Sequence, residues 1–217
     1  GAGKSTLVKI ISRWYRPENG DVLVGDKSLR AMTQKEIARN IAVVEQDQSF
    51  GADISVAEMV SLGRLPHQSL RGEESDEDRL QVHRAMERTG MLEFAGRRLS
   101  TLSGGEKQRV RIATALAQDT SILILDEPTS HLDIKHQSDL LNLLHTLAHD
   151  GLTVVAVLHD INLAALFCDR LIILLAGEIL TEGTPEEVIT SQSITAAYGC
   201  NVEVIEHPKE KVPQIAL

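Results

Sequence analysis

The first residues of the sequence form a glycine-rich segment whose composition suits the binding of phosphate. Residues 1–6 read GAGKST, so small residues precede a lysine and two hydroxyl side chains. The backbone N–H groups at Gly1 and Gly3 can approach phosphate oxygens, and Lys4 adds a mobile positive charge. Ser5 offers a hydroxyl to Mg²⁺, and a helix that begins there directs its positive end toward the anion. Short glycine-rich runs also form plain turns, so this interpretation requires an acidic partner elsewhere.

The acidic partner is predicted at the end of an apolar run. Residues 122–126 read ILILD and are followed by Glu127. A buried strand brings the carboxylate of Asp126 to the edge of a sheet, where a phosphate-bound magnesium ion needs it. Glu127 lies one residue further, where a base can polarise the water that attacks the terminal phosphate. The alternative is a strand that ends in a solvated acidic turn, and the lysine-containing loop favours the catalytic interpretation.

A second helix start with the chemistry of an anion site lies at residues 102–109, which read LSGGEKQR. Ser103 is predicted to cap the helix, with Glu106 closing a capping box. Gly104 and Gly105 leave backbone N–H groups accessible. Two helix starts of this kind in one chain predict a nucleotide held between two copies.

The elements that must position these residues are those of an α/β protein. Apolar runs without alternation occur at residues 122–126, 153–158 and 171–175, and they suit strands buried on both faces of a parallel sheet. Leucines between residues 140 and 148 recur at the spacing of a helix with one apolar face. Strand, helix and strand in this order predict a crossover unit.

The stretch from about residue 53 to 118 is predicted to be mostly helical, with an acidic break at residues 72–78. That break is either a partner site or the start of a solvated helix. Ser75 and Asp78 have the spacing of a capping box, which favours the helix start.

Two features are predicted for the last third of the chain. Gly177 and Glu178 have the composition of a hairpin turn that joins residues 171–176 to residues 179–181. The tail beyond Ile205 is polar and interrupted by prolines, so we expect it to be weakly structured.

The composition excludes several classes of protein. The 217 residues carry a net charge of −9, which argues against a broad surface for nucleic acid. The two cysteines, Cys168 and Cys200, lack CxxC spacing, so neither a disulfide framework nor a zinc site is expected. Charged residues interrupt the apolar stretches, so any role at a membrane is expected to depend on a partner. We also expect Gly1 to lie inside the native chain, because no start methionine precedes it.

The segment at residues 102–109 resembles the signature sequence of ABC ATPases, and other motifs of that family follow. Gln46 matches the family's Q-loop glutamine, Ser130–Asp133 (SHLD) its D-loop, and His159 its switch histidine. The resemblance covers essentially all of residues 1–217 and implies one ATP-binding domain truncated at its N-terminus within the phosphate-binding loop.

The implied fold is α/β, with the RecA-like core of P-loop NTPases. An antiparallel β element is expected near residues 21–29, and a helical subdomain at about residues 53–118.

The resemblance also implies a role for each matched residue, with ATP and Mg²⁺ as the bound species. Residues of the phosphate-binding loop would bind the nucleotide of their own subunit. Signature residues would contact the nucleotide that is bound to the opposite subunit, and three residues would take part in catalysis. The nucleotide-binding set is Gly1, Ala2, Gly3, Lys4, Ser5, Thr6, Ser103, Gly104, Gly105 and Asp133; the catalytic set is Glu127 as base, His159 on the γ-phosphate and Gln46; the metal set is Ser5, Gln46 and Asp126.

Local sequences narrow the resemblance to one subgroup. Residues 62–67 (LGRLPH), 130–133 (SHLD) and 158–164 (LHDINLA) together resemble the ATP-binding subunits of importers of ferric siderophores, haem and cobalamin. This implies a head-to-tail homodimer that holds two ATP molecules at the cytoplasmic face of a bacterial inner membrane. The dimer would drive membrane-spanning permease subunits, and a periplasmic binding protein would supply these subunits with the substrate. No role for nucleic acid is implied.

Two other functions fit the sequence less well than that of an importer subunit. A soluble ABC ATPase of DNA repair or translation usually carries long coiled-coil insertions or two fused cassettes, whereas here a segment of ordinary importer size separates Lys4 from Ser103 and the net charge is acidic. A regulatory nucleotide-binding module without hydrolysis is disfavoured because Glu127 and His159 are both present.

Overall fold

The computed structural model describes residues 2–46, 53–68 and 74–216. Its α-helices and β-strands alternate along much of the chain, and short 3₁₀ turns lie between them. The helices are α1 (Lys4–Ile11), α2 (Gln34–Ala38), α3 (Val56–Ser61), α4 (Asp76–Arg88), α5 (Gly104–Ala117), α6 (Ile134–His149), α7 (Ile161–Phe167), α8 (Pro185–Val188) and α9 (Ser191–Tyr198). The strands are β1 (Leu23–Val24), β2 (Lys27–Ser28), β3 (Ile41–Val44), β4 (Ile122–Asp126), β5 (Thr153–Val157), β6 (Leu171–Leu175), β7 (Glu178–Gly183), β8 (Glu203–Glu206) and β9 (Pro213–Ala216).

The chain divides into two compact units, and each is described by itself. One unit contains Gly1–Lys9 together with Val157–Leu217, and the other contains Ile10–Ala156. In the described residues no helix combines the length and the apolar character needed to cross a bilayer.

A three-stranded sheet with the order β3-β4-β5 positions the acidic residues. Strands β3 and β4 are parallel, with Ile41 opposite Ile122 and Val44 opposite Leu125. The three central residues of β4 are almost completely buried, as its continuous apolar run predicts. Strand β5 is only partly buried, so the prediction of burial on both faces is confirmed for β4 and wrong for β5. The predicted α/β fold is confirmed, and β1 pairs with β2 as the expected antiparallel element.

The third apolar run differs from its prediction as a buried parallel strand. Residues Leu171–Leu175 form β6, which pairs antiparallel with β7. Ile172 is 55% exposed, so one face of this strand is not buried. The reason is local: Ala176 and Gly177 both have positive φ, as in a type I′ turn, and this turn supplies an adjacent partner strand. The predicted hairpin is therefore confirmed, but its turn residues are Ala176 and Gly177 and not Gly177 and Glu178, because Glu178 already pairs with Leu175.

The segment around α3, α4 and α5 is held by helix caps and a continuous apolar core. Capping boxes start all three helices, at Ser55, Ser75 and Ser103. The prediction for Ser75 with Asp78 is confirmed, whereas part of the acidic run, residues 72–73, lies outside the described residues. The core of this segment contains Val56, Val60, Val82, Met86, Met91, Leu99, Val110, Ala113 and Ala117. That residues 53–118 form a separate subdomain stays a prediction.

A buried ion pair joins three elements of this helical segment. Arg64, in the 3₁₀ turn that follows α3, donates to Asp78 at the start of α4 over 2.8 Å. It also donates to the carbonyl oxygen of Ala117 at the end of α5 over 2.8 Å. The side chains of Arg64 and Asp78 are only 4% and 5% exposed. The adjacent Gly63 permits this packing, because a Cβ there would lie 2.1 Å from the carbonyl oxygen of Thr114.

The prediction of a weakly structured tail is wrong. Strands β8 and β9 form an antiparallel hairpin in which Val204 lies opposite Ile215. Apolar residues of this hairpin pack on a core that includes Ala165, Ile189 and Ile194. Alternation of polar and apolar residues at 201–204 was the signal for a strand, and the prolines that follow obscured it.

Candidate functional site

The glycine-rich loop leads directly into helix α1, as the sequence predicts. The helix begins at Lys4, and the N–H of Leu7 donates to the carbonyl oxygen of Gly3 over 2.9 Å. Gly3 has a φ of +94°, a conformation that favours glycine. The N–H of Gly177, in the β6–β7 turn of the same unit, donates to the carbonyl oxygen of Ala2 over 3.3 Å. The turn thus supports the loop through this hydrogen bond. Ser5 and Thr6 are exposed. Gly1 lies outside the described residues.

Asp126 has the properties expected of a cation ligand. It ends strand β4, and its Oδ1 is buried without a hydrogen-bond partner in the part of the chain that the structure describes. A buried carboxylate oxygen is normally hydrogen-bonded, so an unpaired one points to an ion or ligand. In the described residues, no group of three or more His, Cys, Asp or Glu side chains is arranged to hold a metal ion. That is compatible with Mg²⁺, which uses one or two carboxylates together with water and substrate phosphates.

The structure brings Glu127 and Gln46 into direct contact. The Nε2 of Gln46 donates to Oε2 of Glu127 over 2.6 Å, and the Oγ of Ser130 donates to the same oxygen over 3.1 Å. Glu127 has a φ of 51°, which is uncommon for a residue other than glycine and costs on the order of 1–3 kcal/mol. Strained backbone of this kind is concentrated at functional sites. The contact with Ser130 was not predicted, because sequence spacing does not reveal which hydroxyl faces a carboxylate.

The second helix start has the predicted cap. Ser103 precedes α5 and accepts from the N–H of Glu106, whose carboxylate accepts from the N–H of Ser103 over 2.6 Å. This backbone hydrogen bond from Ser103 lowers the pKa of Glu106 below its ordinary value. Through this bond the carboxylate of Glu106 holds the first turn of α5 in place.

His136, in the first turn of helix α6, packs against Gly105 of α5. A Cβ built on Gly105 would lie 2.5 Å from Cδ2 of His136, so only glycine fits there without a shift. The Nδ1 of His136 is 2.8 Å from Oδ2 of Asp133, and the backbone N–H of His136 donates to Oδ1 of Asp133 over 2.9 Å. These bonds, led by the backbone one, lower the pKa of Asp133. The structure thus joins Gly105 and Asp133 through His136, a residue that the sequence did not single out.

His159 lies between β5 and α7, directly before the residue that caps α7. The cap is Asp160, whose Oδ1 accepts from the N–H of Leu163 over 3.0 Å. His159 and the phosphate loop belong to one unit, whereas Gln46, Asp126, Glu127 and the signature helix belong to the other. The assembly of all these residues into one site stays a prediction.

Comparisons with known proteins show the family to which the chain belongs. The family model described as ABC transporter matches residues 1–130. The iron(3+)-hydroxamate import ATP-binding protein FhuC of Bacillus subtilis (strain 168) is 42% identical over 98% of this chain and 80% of its own length. The ferric enterobactin transport ATP-binding protein FepC of Escherichia coli (strain K12) is 42% identical over 99% of this chain and 80% of its own. The hemin import ATP-binding protein HmuV of Bordetella avium (strain 197N) is 39% identical over 97% and 82%, respectively.

Solved structures give the same result for the fold. An inward-facing ABC transporter of the metal-chelate type matches with a TM-score of 0.86 and 26% identity, over 100% of this chain and 82% of that one. The dimeric ATP-binding cassette MJ0796, bound to ADP and Pi, matches with a TM-score of 0.68 and 34% identity, over 84% and 81%, respectively.

The loop, the acidic strand end and these matches together define a P-loop nucleotide hydrolase. The chain belongs to the ATP-binding subunits of ABC transporters, which bind nucleotide and couple ATP hydrolysis to transport. The relatives reported above are import proteins, so the alternative of a soluble ATPase of DNA repair or translation receives no support.

Proposed function

We propose that this chain energises the import of an iron chelate, in the group that also includes haem and cobalamin importers. The observation that carries the hydrolytic part is the arrangement at the end of β4. There Gln46 and Ser130 both donate to Glu127, next to the unpaired buried oxygen of Asp126. The relatives' names support the choice of substrate class, and the sequence of residues 62–67 and 158–164 favours the same group.

In the proposed reaction the side chains divide the work. Lys4 and the loop backbone bind the β- and γ-phosphates, Thr6 contacts the α-phosphate, and His159 contacts the γ-phosphate. Asp126, Ser5 and Gln46 are the residues that would hold Mg²⁺, which neutralises phosphate charge when it is bound. Glu127 accepts a proton from the attacking water, and Gln46 holds the Glu127 carboxylate in place through its amide.

The proposed assembly is a head-to-tail homodimer with two ATP molecules at the subunit interface. Ser103, Gly104 and Gly105 would contact the nucleotide bound to the partner, and Asp133 would lie at the seam. The dimer would bind permease subunits from the cytoplasmic face of the inner membrane, and a periplasmic binding protein would supply the substrate. The dimeric cassette to which this chain is similar supports the assembly.

The glycines of the signature offer a test of this interface. Within the described residues nothing lies within 4 Å of a Cβ built on Gly104, whereas Gly105 has no space beside His136. We expect Gly104→Ala to leave the unfolding temperature unchanged or slightly raised, because alanine favours helix by about 0.5–1 kcal/mol. It should nevertheless lower ATP hydrolysis by about tenfold or more, a barrier change of roughly 1.4 kcal/mol, because the partner's nucleotide needs that space.

Thermal unfolding and steady-state hydrolysis measure the two effects separately. Gly96→Ala is the matched control, because a Cβ there also meets nothing within 4 Å among the described residues. Gly105→Ala should reduce both stability and hydrolysis. Full hydrolysis by the Gly104→Ala protein would show that no partner nucleotide approaches this glycine.

Substitutions at Gln46 and at Leu65 are predicted to affect coupling to the permease in different ways. Gln46 contacts the catalytic carboxylate, whereas Leu65 is 59% exposed on the turn that follows α3. His67, in contrast, lies 2.8 Å from the carbonyl oxygen of Gln118 and serves packing within its own unit. Gln46→Ala should weaken the stimulation of hydrolysis by the loaded transporter more than it weakens nucleotide binding. Leu65→Ala should impair permease association and leave basal hydrolysis nearly unchanged.

The measurement compares ATP hydrolysis by the isolated subunit and by the subunit reconstituted with permease and loaded binding protein. Leu80→Ala, on the exposed face of α4, is the control for loss of an apolar surface side chain. Equal losses for Leu65→Ala in both settings would place Leu65 in the catalytic core and refute its assignment to coupling.

A further inference from the structure

The side chain of Asn162, in helix α7, forms two hydrogen bonds with the tail hairpin. Its Oδ1 accepts from the backbone N–H of Ile215 over 2.7 Å, and its Nδ2 donates to the carbonyl oxygen of Ile215 over 3.1 Å. A carboxamide can accept and donate at once, as a peptide group does, so it pairs with β9 as a neighbouring strand would. The Nε2 of Gln214 adds a bond to the backbone oxygen of Asn162 over 3.2 Å. All these residues belong to one compact unit.

Helix α7 needs such support. It has seven residues, and helices of this length are not stable in water without tertiary contacts. Its buried Ala165 belongs to a core to which Ile161 and the hairpin residues Val204 and Ile215 also contribute. The hairpin therefore supplies both the apolar contact and the polar attachment at the first turn of α7.

The attachment lies three residues after His159. The helix cap, Asp160, fixes the first turn of α7 by accepting from Leu163, and Asn162 fixes the same turn to β9. The direction in which the chain leaves β5 and enters α7 decides where the His159 imidazole lies. A first turn held at two points leaves that segment little freedom.

We infer that Asn162 is a positioning residue for ATP hydrolysis, acting through the tail hairpin on the segment that carries His159. The inference rests on the proposed role of His159 at the γ-phosphate. The hairpin at residues 203–216 then keeps α7 and the preceding histidine in the conformation that ATP hydrolysis requires. Asn162 itself does not contact the nucleotide in this assignment.

The test is the isosteric change Asn162→Asp in the full chain. Aspartate keeps the acceptor but loses the donor to Ile215, and it places a negative charge beside the Ile215 carbonyl oxygen. We expect kcat to fall by about tenfold while KM for ATP stays within about twofold, because a contact made in the transition state is lost and ground-state binding is not. Hydrogen exchange should accelerate at the Ile215 amide and through residues 159–163.

Asn142→Asp, which makes the same chemical change on the exposed surface of α6, is the control and should alter neither quantity. A double-mutant cycle with His159→Ala separates positioning from stability. If Asn162 acts through His159, Asn162→Asp should lower hydrolysis by less than about twofold in the His159→Ala background. A purely structural role would give losses that multiply.

Several results would overturn the inference. Unchanged kcat with faster exchange at Ile215 would show that the hairpin does not position His159, and unchanged exchange would show that the bond does not hold the hairpin. Should the aspartate variant fail to fold, Asn162→Ala replaces it, and failure of both would make Asn162 a folding residue instead. An unmutated protein without ATP hydrolysis would refute the proposed function, which is a separate outcome.

Discussion

Replacing Glu127 by glutamine is expected to lower ATP hydrolysis by about 10²–10⁴-fold and to leave ATP binding intact. The carbonyl oxygen of the new side chain can still accept from Gln46 and Ser130, so the geometry at the end of β4 should be preserved. What is lost is the ability to take a proton from water. Because binding continues without hydrolysis, the variant should accumulate as an ATP-bound dimer.

Hydrolysis is measured as phosphate release, and the dimer by gel filtration with Mg-ATP. Glu87→Gln, on the exposed surface of α4, makes the same chemical change away from the site and should hydrolyse ATP normally. A Glu127→Gln protein that hydrolyses ATP at the unmutated rate would show that another group is the base.

The largest expected effect on stability comes from the buried ion pair in the helical segment. Arg64→Ala leaves Asp78 buried without its partner and removes the bond to the carbonyl oxygen of Ala117. Loss of one member of a buried pair costs about 3–5 kcal/mol, so we expect the free energy of unfolding to fall by that amount. Urea unfolding measures it. Arg79→Ala is the matched control: Arg79 also pairs with carboxylates, but it is 64% exposed, so its loss should cost less than about 1 kcal/mol.

The same pair predicts a dependence on pH. The hydrogen bond from Arg64, followed by those from Ser75, lowers the pKa of Asp78 from 3.8 to about 2. A lowered pKa means that the pair contributes fully above pH 4 and that this contribution is lost as the pH falls from about 4 toward 2. The unmutated protein should therefore lose stability across that interval, and Arg64→Ala should lose less. If urea denaturation at neutral pH shows that Arg64→Ala lowers the free energy of unfolding by less than about 1 kcal/mol, the stabilising role assigned to the ion pair is wrong.

The sequence predicted those parts of the fold that depend on local pattern. Strand β4 has the expected bounds, and the capping boxes at Ser75 and Ser103 follow from residues three positions apart. The direction of β6 was not predictable from its apolar run, because the choice of partner depends on the turn that follows it. Local sequence decides helix starts and this hairpin, whereas the parallel pairing of β3 with β4 joins segments that are far apart in the chain.

The candidate site shows the same division. Asp126 and Glu127 were predicted from their place at the end of a strand and Gln46 from its match to a family motif, and the structure adds the bond between Gln46 and Glu127. Ser130 and His136 were missed as partners of Glu127 and Gly105, because both contacts depend on how a turn or a helix places a side chain in three dimensions. The role of Asn162 was hidden for the same reason, since its partner lies 53 residues further along the chain.

The support of the phosphate loop by the β6–β7 turn has a consequence for synthesis. The carbonyl oxygen of Ala2 accepts from Gly177, so the two partners are separated by 177 − 2 = 175 residues. At roughly 5–20 residues per second, about 10–35 seconds pass on the ribosome between the synthesis of the loop and that of its support. During this interval the nascent chain carries the loop without the turn that backs it. The loop therefore gains this support only after residue 177 has been synthesised.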